Sequence, residues 1–445
     1  MRPNLLVICS ALSGVLPFLW PTAFWWLIFF FMIPLFYRIA YNMPGHPWRE
    51  GLLWGVCFFT CHSAWLVWLM SSKSGFPLGS FLFSLLLIGY LVVHSSCWFG
   101  MAVLLARRYN YAWFRVLIFA IVSLIFWVWL ERGILCISGQ FDGHPLLLPL
   151  LPLVAKPTVL SLLPLLGTIG LLGVLIGWSS NCALLLYARQ WRYFVGVLCC
   201  MIPFCIGFIV NKIPQAPHWQ EHIGYIAPVE ICDLEERVQE IAARLTAYRQ
   251  THPAVSLIVM PESTLPTALN NNHRVATLWD TALLHENIPI IIGSHKFIDN
   301  CWYNTLYVLC RGEIVAMHEK KHLMPLIEYM PSPWSRIAWL SASFLRGCYP
   351  FSHAKGTSSC LTLNNGHSFM PYICSELFFA QKAPSGADYI PIIFLCNDSW
   401  FLPYIRQLLI FCARYKAIAW QRALLYVGHY GAHWIMSDGN IVEVK

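Results

Sequence analysis

Charge is what this chain lacks. Only 11% of its 445 residues are Asp, Glu, Lys or Arg, against about 25% in an ordinary soluble domain. The shortage is uneven. Residues 1–212 hold 12 Lys/Arg and three acids (Glu50, Glu131, Asp142), whereas residues 213–445 hold 17 Lys/Arg and 18 acids. The two parts therefore carry +9 and −1, which make up the net charge of +8. A nucleic-acid binder gathers positive charge on a solvated face. Here the excess lies in short loops between apolar runs, which excludes nucleic acid as a partner. Cysteines at zinc spacing are also missing, as is any regular cysteine framework. Several of the 17, such as Cys57, Cys61, Cys199, Cys200 and Cys205, fall inside apolar runs, where cysteine behaves as a small buried hydrophobe. No internal repeat or low-complexity segment stands out.

Apolar sequence is abundant, at 58% of residues with a mean hydropathy of +0.58. A membrane-spanning helix needs roughly 20 mainly apolar residues. Seven such runs precede residue 213, at about 4–20, 22–40, 51–71, 76–105, 113–131, 158–188 and 193–211. The fourth and sixth are overlong, which predicts tilt or an interfacial extension. The first continues into the second without a small-residue cleavage site, so it reads as a span rather than a signal peptide. With the amino terminus in the cytoplasm, that side receives eight loop arginines (Arg2, Arg38, Arg49, Arg107, Arg108, Arg115, Arg189, Arg192). The opposite side receives Lys73, Arg132, Lys156 and Lys212. Positive charge favours the inside. Seven spans then put everything after Lys212 outside the cytoplasm. Glu131 and Arg132, at a span's end, are expected to snorkel or pair.

The texture changes from about residue 222. "DLEERVQEIAARLTAYRQ" (233–250) has a helical period with acids early and Arg244 and Arg249 late. Strand-like runs follow: "SLIVM", "IPIIIGS" (288–294), "NTLYVLC" (304–310), "FMPYIC" (369–374) and "YIPIIFLCND" (389–398). Helix and strand alternating over residues 222–445 imply one α/β or layered α+β domain behind a transmembrane domain of residues 1–212.

Three residues in this second part combine into chemistry. Glu262 ends an apolar run, where a carboxylate is costly unless something uses it. Lys320 lies in "MHEKKHLMPLIEYMP", and Cys374 follows "FMPYI". A cysteine attacks as its thiolate, which a nearby cation and a base favour. A lysine supplies that cation and steadies an oxyanion, and a glutamate moves the proton. Taken singly, each has a plainer reading: a turn residue, a surface lysine, a buried strand cysteine. His322 reads as a structural hydrogen-bonder, because no partner ligands stand at zinc spacing. Trp334 and Trp339 fit an interfacial aromatic belt or plain core equally well.

The order Glu, Lys, Cys and the local wording resemble the nitrilase, or carbon–nitrogen hydrolase, superfamily. "PESTLP" (261–266) is similar to its glutamate motif, and "KKHLMPLIE" (320–328) to its K-x-H-L-x-P-x-x-E. "CSE" (374–376) is similar to its C-x-E, and "NDSWF" (397–401) to its N-D-x-W-F. Within the superfamily, the apolipoprotein N-acyltransferases place several membrane helices before the catalytic domain. "WLERG" (129–133), "GHPLLLPLLPL" (143–153) and "LLPLLGTIGLLGVLIGWSSN" (162–181) look like segments of that branch. Departures from its pattern are Ser375 in place of an aromatic, His318 in place of tyrosine, Leu326 and Ile327 in place of Phe-Gly, and His429 in place of asparagine.

The resemblance implies a multi-pass α-helical membrane bundle joined to an α+β, nitrilase-like αββα sandwich. It implies residence in the bacterial inner membrane, with the catalytic domain on the periplasmic side. Cys374 would take a fatty acyl chain from a phospholipid as a thioester and pass it to the amino-terminal diacylglyceryl-cysteine of an apolipoprotein. Glu262 would be the base and Lys320 the cation, with Glu328 and Glu376 positioning the substrates. No metal or organic cofactor is implied, and membrane lipids are the natural surroundings. Two other readings stay open: a membrane-anchored amidase or nitrilase acting on another C–N substrate, and a divergent relative associated with conjugal transfer.

Overall fold

The computed structural model describes residues 3–73, 77–132, 146, 148–209, 223–227, 231, 233–269, 288–311, 313–324, 327–330, 334–336, 350–354, 360–363, 366–379 and 390–444. Most of "WLERG" and "GHPLLLPLLPL" can be followed only in part, because residues 133–145 and 147 lie outside that set. The same holds for Lys212, Leu326, Trp339 and the side chains of Glu131, Arg132 and Trp334. Two compact units divide the chain. One is Met1–Lys212 with Leu402–Tyr415, and the other is Ile213–Phe401 with Lys416–Lys445.

The first unit is helical: α1 (Pro3–Leu19), α2 (Pro21–Phe24), α3 (Ile33–Tyr41), α4 (Pro47–Lys73), α5 (Pro77–Ala106), α6 (Ala112–Arg132), α7 (Leu163–Ala188) and α8 (Trp191–Ile209). Among the described residues, five stretches are long and apolar enough to cross a membrane: Pro21–Tyr41, Pro47–Leu69, Leu78–Ala106, Ala112–Leu130 and Leu163–Ala188. Apolar helices also stand at the first and last expected runs, but Asn4–Leu19 and Trp191–Ile206 are shorter than the other five. The second expected run is not one straight helix, because a 3-10 turn (Trp25–Phe29) separates α2 from α3. Polar side chains tie the helices together. Trp54 Nε1 donates to Ser10 Oγ at 3.1 Å, Ser95 Oγ to Gly51 O at 3.0 Å, and Trp178 Nε1 to Phe29 O at 2.9 Å. Such bonds hold helices in lipid, where burying apolar surface gives no preference for a helix neighbour over an acyl chain. A buried Arg38–Glu50 pair at 2.9 Å joins α3 to α4.

The second unit is α+β, with two mixed sheets. The first runs β1 (Ile223–Tyr225), β2 (Leu257–Val259), β3 (Ile290–Ile298), β4 (Cys301–Cys310), β5 (Glu313–Glu319), in that spatial order. β1, β2 and β3 are parallel, and β4 and β5 return antiparallel. The second sheet has the order β11-β10-β9-β8-β7-β6, built from β6 (Leu361–Thr362), β7 (Ser368–Ile373), β8 (Ile392–Leu395), β9 (Leu424–Gly428), β10 (Gly431–Ile435) and β11 (Ile441–Glu443). Its centre, β7-β8-β9, is parallel and apolar, and β8 and β9 are buried throughout, as strands covered on both faces must be. Helix α9 (Leu234–Thr251) begins as the charge pattern predicts, with the Asp233 carboxylate accepting from Glu236 N at 2.9 Å as its cap. Its apolar stripe, Val238, Ile241 and Leu245, packs with Ile258, Met260, Ile290 and Ile292. Two further helices stand among the described residues, α10 (Ser375–Phe379) and α11 (Pro403–Trp420). The early part of α11 clusters with the membrane helices: Tyr415 and Thr168 of α7 share a hydrogen bond of 2.7 Å.

Candidate active site

Five strand ends of the second unit carry polar residues that meet. Glu262 follows β2, Lys320 follows β5, Cys374 follows β7, Asn397 and Asp398 follow β8, and His429 follows β9. Carboxyl ends of parallel strands are where α/β folds commonly bind ligands, because the chain leaves the sheet there and its loops are free to shape a crevice.

Lys320 is 1% exposed, Glu262 4% and Glu328 7%. The Lys320 ammonium lies 3.1 Å from Glu262 Oε1 and 3.0 Å from Glu328 Oε1. Asn304, inside β4, reaches the same two oxygens with its amide nitrogen, at 2.7 Å and 2.8 Å. Two donors thus each bridge two carboxylates. The outer oxygens are held by main-chain amides: Asn397 N donates to Glu262 Oε2 and Met324 N to Glu328 Oε2, both at 2.7 Å. Isolated buried charges are costly, whereas charges paired and hydrogen-bonded in this way persist. Burial opposes the charge of Glu262. Lys320, the Asn397 amide and Asn304 outweigh it and keep the carboxyl below its ordinary value of 4.5. Burial likewise opposes the Lys320 ammonium, yet Glu262, Glu328 and Cys374 raise its pKa well above 10.5. Glu262 and Lys320 therefore stand as an ion pair at neutral pH.

The loop of Glu262 is fixed from behind. Ser263 has a φ of 56°, which only local bonding sustains in a residue with a side chain. Thr264 Oγ1 donates to Pro261 O at 2.8 Å, and His429 Nε2 donates to Glu262 O at 3.0 Å. A carbonyl only accepts, so Nε2 of His429 carries the proton. His429 N in turn donates to Asp398 Oδ1 at 2.7 Å, and Tyr426 OH donates to Asp398 Oδ2 at 3.1 Å. A Cβ on Gly293 would sit 2.5 Å from the Glu262 Cα, so the close approach of β3 requires a glycine. His295, further along β3, is neutral: burial pushes it down to about 4, although the Glu262 charge works the other way.

Cys374 sits at the turn from β7 into α10 with a φ of 45°, in the left-handed region. Its amide donates to Leu395 O at 2.8 Å, and Leu377 N donates to its carbonyl at 3.2 Å. Its sulfur, a carboxylate oxygen of Glu262 and the sulfur of Cys396 all lie within 4.8 Å of one another. The two sulfurs are 3.9 Å apart. A strained turn that presents a nucleophile between strand and helix is a recurring device for exposing a reactive atom at a sheet end.

Glu376 does not face this cluster through its hydrogen bonds. Its carboxylate accepts from His318 Nε2 at 2.9 Å, Lys321 N at 2.7 Å and Ile373 N at 2.8 Å, which ties the end of β5 to the end of β7. Burial works against its charge, but His318 and the two amides hold its pKa below 4.5. Ser375, where an aromatic was expected, donates to His322 O and so joins the same brace. Asn304, Asp398, Gly293 and Cys396 escaped the sequence reading as site residues. Asn304 looks like a polar interruption in a strand, and Cys396 like one more buried cysteine.

No family model matches the chain. Curated proteins do. A Sinorhizobium fredii protein is 30% identical over 154 residues, covering 33% of this chain and 29% of its own length. Its name is apolipoprotein N-acyltransferase. The resemblance is to apolipoprotein N-acyltransferases. A Brucella suis apolipoprotein N-acyltransferase is 28% identical over 216 residues, 45% of this chain and 37% of its own length. One from Rhizobium rhizogenes is 26% identical over 231 residues, 46% of this chain and 42% of its own. The chain thus spans less than half the length of these apolipoprotein N-acyltransferases. Among solved structures, a carbon–nitrogen hydrolase from Helicobacter pylori matches with a TM-score of 0.38 at 11% identity, over 50% of this chain and 85% of that one. A Saccharomyces cerevisiae member of branch 10 of the nitrilase superfamily matches with a TM-score of 0.36 at 15% identity, over 50% and 83%.

Proposed function

We propose that this chain is a bacterial inner-membrane N-acyltransferase that moves a fatty acyl chain from a phospholipid to the amino-terminal amine of an apolipoprotein through a thioester on Cys374. One observation carries the reading: a buried Lys320 bonded to both Glu262 and Glu328, with Cys374 Sγ within 4.8 Å of the Glu262 carboxylate. That arrangement fits acyl transfer. Glu262 accepts the thiol proton of Cys374, and the sulfur attacks the ester carbonyl of the lipid. Lys320 has three N–H groups, of which two are engaged by Glu262 and Glu328. The third is available to the oxyanion that forms. The tetrahedral adduct collapses to the thioester as Glu262 returns the proton to the departing lysophospholipid oxygen. In the second half, the amine of a diacylglyceryl-cysteine attacks the thioester. Glu262 takes a proton from it and delivers one to the leaving sulfur, which restores the resting state.

In this reading Glu328 positions Lys320, and Glu376 positions Cys374 by bracing the turn from β7. The catalytic domain faces the periplasm, as the loop charges favour. The test is mass spectrometry of a lipoprotein's amino terminus in a strain lacking its own acyltransferase, with and without this chain. A third acyl group on the terminal amine supports the proposal. An unmodified amine alongside a well-expressed, membrane-inserted chain overturns it.

A further inference from the structure

Strands β7 and β8 run parallel with Ile373 opposite Leu395. One residue beyond that pair, Cys374 and Cys396 stand side by side at the carboxyl ends of both strands. Their main chains are fixed, with Cys374 N donating to Leu395 O at 2.8 Å and Cys396 N donating to Val427 O at 2.9 Å. The sulfurs meet at 3.9 Å with Cys396 as donor. Asn397, the next residue, gives its amide to Glu262. One short turn after β8 therefore touches both the nucleophile and the base.

We infer that Cys396 is a positioning residue that aims its S–H at the Cys374 sulfur and stabilises the negative charge that forms there when the Cys374 proton leaves. This rests on the reading of Cys374 as the nucleophile.

Electrostatics decides which sulfur carries the charge. Cys396 is fully buried, and the carboxylates of Asp398 and Glu262 both act on it. The bond to Cys374, burial and those charges push its thiol well above 9.0. The Lys320 ammonium interacts with Cys374. Two thiols at this separation share one negative charge more readily than two. As charge develops, the cation favours it on Cys374, and Cys396 remains the donor. An S–H directed at a sulfur anion is a charge-assisted bond, stronger than the same donor makes to a neutral acceptor. Cys396 has no other role in the transfer sequence, because a thiol held protonated is a poor nucleophile.

The test is the rate at which iodoacetamide alkylates Cys374 in the full chain in detergent, followed by peptide mass spectrometry across pH. Only the thiolate reacts, and no acyl donor is involved. Failure of the acyl-transfer reading therefore leaves this measurement intact. Cys396→Ala should slow alkylation at pH 7 roughly tenfold, the lower end of what a bond to a charged group is worth, with the same limiting rate at high pH. Cys396→Ser, which keeps a donor, should react close to the native rate. Cys396→Val, which fills the space without a donor, should behave like Cys396→Ala and replaces it if the smaller residue does not fold. Superimposable pH profiles for native, Ala and Ser proteins would overturn the inference. So would a folded Cys396→Ser that reacts no faster than Cys396→Ala.

Discussion

The amide nitrogen of Asn304 lies 2.7 Å from Glu262 Oε1, and the same nitrogen is 2.8 Å from Glu328 Oε1. Asn304 therefore does for the two carboxylates what Lys320 does, without adding charge. Removing it leaves Lys320 alone between two buried anions. Asn304→Ala should cost about 2–3 kcal/mol of stability, since hydrogen bonds to charged groups are worth about 1.5–3 kcal/mol. Asn304→Asp should cost more, by adding a third carboxylate. Denaturant midpoints of the full chain in detergent check both, and an Ala variant as stable as the native protein would show that the bridge carries no energy.

Lys320 is the counter-charge of the site, and its loss is felt through the partners it leaves. Breaking a buried ion pair on one side costs about 3–5 kcal/mol, because a bare charge remains. Lys320→Met should fall in that range. Adding Glu328→Gln removes one of the two stranded anions, so the double variant should regain part of the loss. Equal midpoints for the single and double variants would refute this coupling. Neither variant should form a thioester.

Stability should have a plateau bounded by these ionisations. Glu262 and Glu376 both have folded-state pKa values below 4.5. Carboxyls lowered in this way stabilise the fold above their unfolded value, and that stability is lost as pH falls below about 4.5 through the folded values. Lys320 runs the other way. Its folded value lies well above 10.5, so its contribution is complete below 10.5 and disappears as pH rises through the folded value. Melting temperature against pH should be flat only between about 6.5 and 9. Neutral His295, held down to about 4, loses its contribution as pH falls from 6.5, and Cys396, held well above 9.0, loses its own as pH rises past 9.0. Glu376→Gln should shallow the acid limb; an unchanged limb means that the brace between β5 and β7 does not contribute.

Gly293 tests how tightly Glu262 is placed. A Cβ there would lie 2.5 Å from Glu262 Cα, 2.7 Å from Pro261 O and 2.8 Å from Ser263 N, all of them backbone atoms. Backbone cannot swing aside as a side chain tip can. Gly293→Ala should cost about 1–3 kcal/mol by overpacking. It should also slow Cys374 acylation by an order of magnitude or more, since small displacements of a catalytic group are heavily penalised. Native acylation rates in a folded Gly293→Ala protein would mean the Glu262 loop tolerates a shift.

Some of this architecture is written in short stretches of sequence, because the physics involved is local. Apolar length alone marks the long helices, since a bilayer demands about 20 apolar residues in a row. The acids and arginines of 233–250 predict α9, and the β-branched runs predict β2, β3, β4, β7 and β8. β5, which leads into Lys320, is missed because "EIVAMHE" is mostly exposed and shows no clear apolar alternation. β9 is likewise hidden inside a segment legible only as a weakened motif. Helix α11 starts in a stretch with no strong signal and clusters in part with the membrane helices, an outcome that no local pattern encodes.

The site divides in the same way. The identities of Glu262, Lys320, Glu328 and Cys374 are legible as motifs, each with its own spacing. That one ammonium and one amide both span Glu262 and Glu328 depends on β4, β5 and the loop after β2 meeting in space. That Glu376 is spent on His318 and two main-chain amides depends on where β5 ends relative to β7. Cys396 shows the division most plainly. In the sequence it is one of 17 cysteines, 22 residues after Cys374. Only parallel pairing of β7 and β8, in the register that sets Ile373 against Leu395, brings its sulfur within 3.9 Å of the Cys374 sulfur. Residue type and order determine which groups are available, while strand order and register decide which of them touch, because hydrogen bonds and thiol contacts act over a few ångströms and the chain between them is long.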